Sequence, residues 1–257
     1  MLLTCPVQTP EFLAKHGLGV EAMISRDDQL PTWEQYEPFV KGIHLPYKDL
    51  NLAAMDDAVR ENSIETVKNA IDKGLQYGVS RMVLHICGTE MWHGIAVGTY
   101  DRLISSHQEL ADYAAARKVE LCLENTALHQ PRRRNYGLFA HEWFQIREDV
   151  NRSNVLLTLD TSHAASSAAM LHAHAEDRFA YLYEFLKYPD LIGRVHWCDS
   201  RLTYGESYLG DLHLVPGAGD FPVDFHRRIK ALDAVKTLEE RCPPEELEKG
   251  LAFIESL

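Results

Sequence analysis

The sequence predicts an α/β protein: a single (β/α)8 TIM barrel over residues 1–257. Two observations predict this fold. Short apolar runs alternate with longer stretches of helical periodicity, and there are eight such runs. Strands that alternate with helices pair in parallel through right-handed crossovers, and eight such units close into a barrel. The length of 257 residues is usual for that fold. An open dinucleotide-binding sheet is disfavoured because no GxGxxG stretch follows an early strand.

The eight apolar runs are short enough to be buried parallel strands rather than helices. They occupy residues 2–7, 20–25, 42–47, 81–87, 119–125, 155–161, 194–199 and 235–240.

Helical periodicity is clearest between the third and fourth runs. Ile64, Val67, Ile71 and Leu75 fall on one helical stripe, and Gly78 follows as a stop signal. Similar patterns predict the remaining helices. The predicted helices span residues 63–77, 100–118, 142–151, 178–187, 221–232 and 244–257.

Composition restricts the class of protein further. The formal net charge of −12 opposes general binding to nucleic acid, because phosphate contacts depend on Lys and Arg. No apolar run approaches the ~20 residues that a membrane span needs, so a cytoplasmic protein without a membrane partner is expected. The five cysteines are scattered without CxxC spacing, which is typical of free thiols in a reducing compartment.

Metal-ligand side chains cluster at the predicted strand ends. In a (β/α)8 barrel, functional residues lie at the carboxyl ends of the strands. Burying several carboxylates together is costly unless cations compensate them. Imidazole and carboxylate groups converging on one face therefore predict a zinc or manganese site. The candidate ligands at strand ends are His44, His85, Glu124, Asp160, His163, His196 and Glu239, and Asp211 and His213 lie between the last two strands.

These residues resemble the motifs of endonuclease IV, the apurinic/apyrimidinic DNA repair family, within the xylose isomerase-like barrel superfamily. The resemblance runs from about residue 42 to residue 240. The matching segments are His-Leu-Pro-Tyr at 44–47 with Leu-Asn-Leu at 50–52, Glu-Asn-Thr-Ala at 124–127, Leu-Asp-Thr-Ser-His at 159–163, and His-Trp-Cys-Asp-Ser-Arg at 196–201 followed by Gly205, Ser207, Asp211 and His213.

The resemblance implies a xylose isomerase-like TIM barrel with up to three Zn²⁺ ions. Glu124 is expected to bridge two of the metals. Glu240 is the alternative last-strand ligand if Glu239 is displaced by one residue. The implied ligand sets are His44, His85 and Glu124 for one metal, Glu124, Asp160, His196 and Glu239 for the second, and His163, Asp211 and His213 for the third.

Two loops depart from the family pattern. Residues 85–88 read His-Ile-Cys-Gly where the family favours a proline beside the glycine. Residues 26–29 read Arg-Asp-Asp-Gln, which is acidic where the DNA repair enzyme has a basic loop. These departures weaken DNA as the substrate more than they weaken the metal site.

Two enzyme classes remain open. A multinuclear site would serve phosphoester hydrolysis, with a small phosphorylated sugar or abasic DNA as substrate and Glu124 helping to orient the attacking water. The alternative is a sugar or sugar-phosphate isomerase or epimerase with one Mn²⁺ or Mg²⁺. In that reaction Glu124 and Glu239 would exchange a proton next to a carbonyl. His44, Asp211 and His213 favour the hydrolase, because a single-metal isomerase does not require them.

Five further residues are predicted to contact substrate. Arg132 and Arg133 lie in the loop after the fifth strand and are suited to an anionic group. Tyr47 and Trp92 are candidates for stacking on a sugar or base. Arg201, near the seventh strand, is a candidate for contact with phosphate.

Overall fold

Eight parallel strands close into a barrel in which they follow one another in chain order. The structure, a computed structural model, describes residues 1–4, 8–24, 33–127, 132–202, 211–240 and 242–257. In chain order the strands are β1 (Leu2–Thr4), β2 (Gly19–Met23), β3 (Val40–His44), β4 (Arg81–His85), β5 (Thr89–Trp92), β6 (Ile95–Ala96), β7 (Glu120–Glu124), β8 (Arg133–Asn135), β9 (Val155–Asp160), β10 (Ile192–His196) and β11 (Val235–Leu238). Strands β5, β6 and β8 form a separate three-stranded antiparallel sheet, and the other strands form the barrel.

Helices connect the barrel strands and cover the outside of the barrel. The α-helices are α1 (Pro10–His16), α2 (Asp57–Leu75), α3 (Tyr100–Ala115), α4 (Ala140–Val150), α5 (Thr161–Leu171), α6 (Ala175–Leu182), α7 (Val223–Ala231) and α8 (Pro244–Ser256). Helix α2 begins after Asp56, whose carboxylate accepts a hydrogen bond from Val59 N–H. Its buried stripe includes Ile64, Val67 and Ile71, as the periodicity predicts.

The predicted barrel is confirmed, but several element bounds differ. The predicted strand runs continue past the observed ends because the residues that follow stay buried: Leu45 and Ile86 are both 0% exposed after β3 and β4. Hydrophobicity therefore does not mark where the strand ladder stops. Helix α2 begins six residues earlier than predicted, at its Asp56 cap.

Helices α1 and α5 and the three-stranded sheet were not predicted. Helix α5 starts at the residue after β9, where the sequence suggested only a strand end. The strands of the small sheet are short and largely polar, so they lack the pattern of a buried strand. Within the described ranges, no helix combines the length and apolar character that crossing a bilayer requires.

Candidate metal centre

Strand register brings the predicted ligands to one end of the barrel. His85 pairs with Glu124 across β4 and β7, and Asp160 pairs with His196 across β9 and β10. Each pair comes from the last residues of adjacent parallel strands, so the side chains meet at the carboxyl edge. His44 ends β3 on the same edge.

Three groups of donor atoms form at this edge. In each group, one ligand atom per residue lies within 4.8 Å of every other. Glu124 belongs to two groups and so does Asp160, so the three groups are contiguous. The first cluster is His44, His85 and Glu124, the second is Glu124, Asp160, His196 and Glu239, and the third is Asp160, His163 and His213.

In the first cluster, two imidazoles face one carboxylate oxygen. Glu124 Oε2 lies 3.1 Å from His85 Nε2 and 3.4 Å from His44 Nε2. His44 Nδ1 lies 2.8 Å from the Leu45 carbonyl, which can only accept, so Nδ1 carries the hydrogen and Nε2 is the ligand atom of the neutral ring. Burial lowers the pKa of His85 to about 3, which keeps this ring neutral as a metal ligand requires.

In the second cluster, one histidine nitrogen faces three carboxylates. His196 Nδ1 lies 3.0 Å from Glu239 Oε2, 3.1 Å from Glu124 Oε1 and 3.6 Å from Asp160 Oδ2. Burial opposes the charged form of His196, but Glu239 and Glu124 outweigh it and raise the pKa of the ring well above its ordinary range. The surrounding carboxylates therefore stabilise positive charge at this end of the barrel.

A buried glutamate that the sequence reasoning missed fixes the orientation of His196. Glu21, in β2, lies with Oε1 2.8 Å from His196 Nε2, while its Oε2 accepts hydrogen bonds from Arg194 and Thr237. Burial alone would raise the pKa of Glu21, but Arg194 and His196 lower it, so the carboxylate is ionised. It then accepts the Nε2 hydrogen of His196 and leaves Nδ1 as the candidate ligand atom, the orientation that a carboxylate–histidine–metal arrangement would require. In the sequence, the signal for this role is that Glu21 is an acidic residue within the apolar run of residues 20–25.

The third cluster combines a strand end, a helix start and a loop. Asp160 caps α5 by accepting a hydrogen bond from His163 N–H at 2.8 Å. His163 Nδ1 lies 2.7 Å from the Asn125 carbonyl, which leaves Nε2 as the ligand atom of the neutral ring. His213, at φ 45°, follows the loop after β10 and is 27% exposed.

Asp211 and Glu240 occupy positions different from the clustered acids. Asp211 was expected in the third ligand set; its Oδ1 lies 2.9 Å from His213 Nε2, but the three-residue group is completed by Asp160. Glu240 is buried outside the clusters of described residues, and burial raises its pKa well above the usual range. Glu239, 22% exposed, is the last-strand acid beside His196.

The donor atoms fit divalent cations. Glu124 Oε2 and Asp160 Oδ2 are buried, and each contacts an imidazole nitrogen, at 3.1 Å from His85 Nε2 and 3.6 Å from His196 Nδ1, without a well-formed hydrogen bond. A buried carboxylate oxygen in such contacts is costly unless a cation compensates its charge. Neutral imidazoles and ionised carboxylates are the ligands that zinc prefers, and an oxygen-richer set such as the second cluster also suits manganese.

A cavity of 250 Å³ adjoins the first cluster. Its lining includes His85, Tyr47 and Arg133. The Tyr47 ring stacks on the His85 ring, with centroids 4.3 Å apart and planes at 17°. Cavities of 520 and 460 Å³ lie among helix and loop residues such as Leu186 and Phe144, and none of the candidate ligands lines them.

The other predicted substrate contacts do not line this cavity. Trp92 is 39% exposed in the small sheet, where Arg133 Cζ lies 5.5 Å from its ring centroid. Arg132 is exposed and does not line the cavity. Arg201 is 57% exposed, 3.6 Å from Asp220. The acidic loop at 26–29, Gly205 and Ser207 lie outside the described residues.

Together, the closed barrel and the donor groups clustered at its carboxyl end define an α/β barrel with candidate metal sites. The chain belongs to the xylose isomerase-like TIM barrel family, whose model matches residues 35–257. This confirms the superfamily that the motifs indicated.

Individual relatives and solved structures have low sequence identity to this chain. An uncharacterized protein of Methanocaldococcus jannaschii is 26% identical over 161 residues, which cover 56% of this chain and 54% of that protein, so the chain matches about half the length of this relative. A D-tagatose 3-epimerase-like protein has a TM-score of 0.71 at 19% identity, over 99% of this chain and 95% of that one. Endonuclease IV from Thermus thermophilus has a TM-score of 0.64 at 21% identity, over 100% and 99%. At these identities the two structural likenesses establish the fold alone.

Proposed function

We propose that the chain is a divalent-metal-dependent hydrolase that cleaves a phosphoester in a sugar-phosphate-containing substrate. One observation carries the proposal: the three ligand groups are contiguous, because Glu124 and Asp160 each belong to two of them. Shared carboxylates are suited to holding several ions side by side. A multinuclear centre of this kind is suited to phosphoester cleavage.

The fit of the donor atoms assigns a role to each set of residues. The first cluster would hold one ion, the second cluster another and the third cluster, with Asp211 beside it, a third; Zn²⁺ suits the histidine content. Divalent ions supply Lewis-acid polarisation of phosphoryl oxygens and compensate the charge that develops during displacement. Because Nε2 of His196 is engaged by Glu21, Nδ1 is the nitrogen that would coordinate a bound ion.

Two glutamates have the positions that acid–base roles require. Glu124 is 1% exposed and belongs to the first two clusters, so it would orient groups bound there. Glu239 is 22% exposed beside the same His196 nitrogen, so it can reach both the centre and a bound substrate. A carboxylate in such a position can hold or move a proton at the attacking or leaving oxygen.

The phosphoester has two candidate sources. The similarity to an endonuclease IV fold supports abasic DNA, whereas the net charge of −12 and the acidic residues at 27–28 support a small phosphorylated sugar. Both substrates present a phosphoester next to a sugar.

A specific observation supports a second candidate function, sugar isomerisation or epimerisation. The second cluster supplies four donors by itself, enough to hold one Mn²⁺ or Mg²⁺. Glu124 and Glu239 would then be the acid–base pair that moves a proton beside a carbonyl. The fold likeness to a D-tagatose 3-epimerase-like protein supports this candidate.

Product analysis separates the two candidates. Protein purified without chelator is incubated in D2O with an abasic oligonucleotide, with sugar phosphates and with ketoses, and products are followed by gel electrophoresis and by ³¹P and ¹H NMR. Strand cleavage or phosphate release that Glu124→Gln abolishes is the expected result. Deuterium incorporation into a sugar with every phosphoester intact would contradict the hydrolase and support the epimerase.

A further inference from the structure

We propose that the cavity beside His85 is a phosphate subsite, in which Arg133 and Lys48 bind a non-reacting phosphate of a small sugar-phosphate substrate. This inference rests on the proposed function, because it assumes that the reacting group lies at the metal centre next to His85. The substrate is then anchored at two places, with its reacting end at the clusters and its phosphate in the cavity.

Arg133 is the first argument for an anion here. The guanidinium is fixed by hydrogen bonds from Nε to Thr89 Oγ1 and Asn135 Oδ1, each 2.9 Å, and from Nη2 to Thr89 Oγ1 at 2.6 Å. These acceptors are neutral, and no carboxylate among the described residues pairs with Arg133. The side chain is therefore preorganised by neutral partners. Its positive charge is not paired with a carboxylate of the described residues and is available to an anionic ligand that enters the cavity.

The next residue on the same strand shows the contrast. Arg134 is 59% exposed and pairs with Glu90 at 2.8 Å and Glu142 at 3.9 Å. Successive residues of a strand point to opposite faces, so Arg133 lines the cavity and Arg134 does not. Arg133 thus lines the cavity without an acidic partner among the described residues, whereas Arg134 is paired with acids and lies outside the cavity lining.

The charge of the cavity lining has the required sign. Lys48 and Arg133 contribute two positive charges, and Asp49 contributes one negative charge. The local balance is positive in a chain whose net charge is −12. Tyr47, stacked on His85, lines the cavity next to the first cluster.

The size of the cavity indicates what enters it. A volume of 250 Å³ is below the ~300–1,000 Å³ typical of pockets that enclose a whole ligand. It accommodates a phosphate and the adjoining carbon atoms, while the rest of the substrate extends towards the metal centre. A sugar with a phosphate away from its reacting group matches this division.

The test uses inorganic phosphate as the probe. Isothermal titration calorimetry compares the 257-residue chain, purified without chelator, with Arg133→Gln, Arg133→Lys and the matched control Arg134→Gln. We expect Arg133→Gln to weaken phosphate binding by about tenfold to a hundredfold, because charge-assisted hydrogen bonds are lost. Arg133→Lys should fall between, since it keeps the charge without the planar fork. Arg134→Gln should match the wild type.

Equal phosphate affinity in the wild type and Arg133→Gln would overturn the proposal, as would an equal loss in Arg134→Gln. The conservative Arg133→Lys decides the question if Arg133→Gln misfolds, which circular dichroism shows. A second titration compares a hexose 6-phosphate with the same hexose, and the wild-type preference for the phosphate ester should disappear in Arg133→Gln. A phosphodiester oligonucleotide that binds more tightly than the sugar phosphate, with the same dependence on Arg133, would overturn the small-molecule assignment.

Separate measurements distinguish failure of the proposed function from failure of the phosphate subsite. Metal content is measured on the same samples, and the hydrolase proposal is tested by product analysis. The difference between the two arginine variants stands whether the centre hydrolyses an ester or isomerises a sugar.

Discussion

The second and third clusters differ in how the chain builds them. His196 ends a barrel strand, is 0% exposed, and has both ring nitrogens in contact with carboxylates. His213 comes from a loop and is 27% exposed. Three of the four residues of the second cluster end barrel strands, whereas two of the three residues of the third cluster, His163 and His213, lie outside the strands.

This difference matters because strand ends are rigid, whereas loops vary without changing the barrel. Asp160 connects the two clusters, since it contributes to both and also caps α5. The second cluster suffices for a single-metal isomerase. The first and third clusters are what the hydrolase proposal adds.

Glu124→Gln should have the largest effect. The substitution removes the negative charge that the first two clusters share, so metal content should fall from about three ions per chain to about one. Elemental analysis of protein purified without chelator measures this. Glu240→Gln, a buried glutamate outside the clusters, is the matched control and should keep the wild-type content. Full occupancy in Glu124→Gln would refute the bridging role, and metal loss in Glu240→Gln would make that residue the last-strand ligand.

His213→Ala should remove one ion and leave the other two. The side chain is partly exposed, so its loss should change the melting temperature little while the third cluster loses a ligand. Metal content and thermal unfolding are measured together, with His16→Ala as a control, since His16 pairs with Glu248 on helix α8 and belongs to none of the three clusters. Wild-type metal content in His213→Ala would show that the third site is wrong.

Glu21→Gln should weaken metal binding at the second cluster by about tenfold to a hundredfold, the range for groups that orient a ligand histidine. The glutamine cannot be a charged acceptor for His196 Nε2–H, and Arg194 loses its ion-pair partner. Competition with a chromophoric chelator gives the affinity, and thermal unfolding reports stability separately. A lower melting temperature with unchanged metal affinity would mean that Glu21 is structural only.

Metal affinity should rise with pH by about tenfold per unit for each proton displaced. In the metal-free protein, burial opposes the charged forms of His196 and His163, but the neighbouring carboxylates outweigh it and raise both pKa values. Below these raised values a proton competes with the metal, so binding weakens as the pH falls and strengthens as it rises through them. Calorimetry in buffers of different ionisation enthalpy counts the protons released, and no release would contradict the assignment of these rings as ligands.

The sequence predicted the barrel and every residue of the three clusters, largely because strand ends can be recognised in the sequence. An apolar run followed by His85 or Glu124 marks both a strand and the edge where its last side chain lies. The pairing of neighbouring strands then follows from chain order, so the convergence of these ligands is predictable from sequence.

Glu21 was missed because its partners are remote in sequence. Arg194 and His196 lie 173 and 175 residues away, and only the closed barrel brings them to β2. The role of Arg133 could likewise be predicted only in part from the sequence. The run of arginines is plain in the sequence, but which of them pairs with an acid depends on the face of β8 that each occupies.

Metal stoichiometry tests the central claim most directly. Protein purified without chelator or added metal is measured by elemental analysis and by native mass spectrometry. The contiguous clusters predict close to three ions per chain, mainly zinc. A single ion, above all manganese, would contradict the multinuclear centre and leave the second cluster as the site of an isomerase.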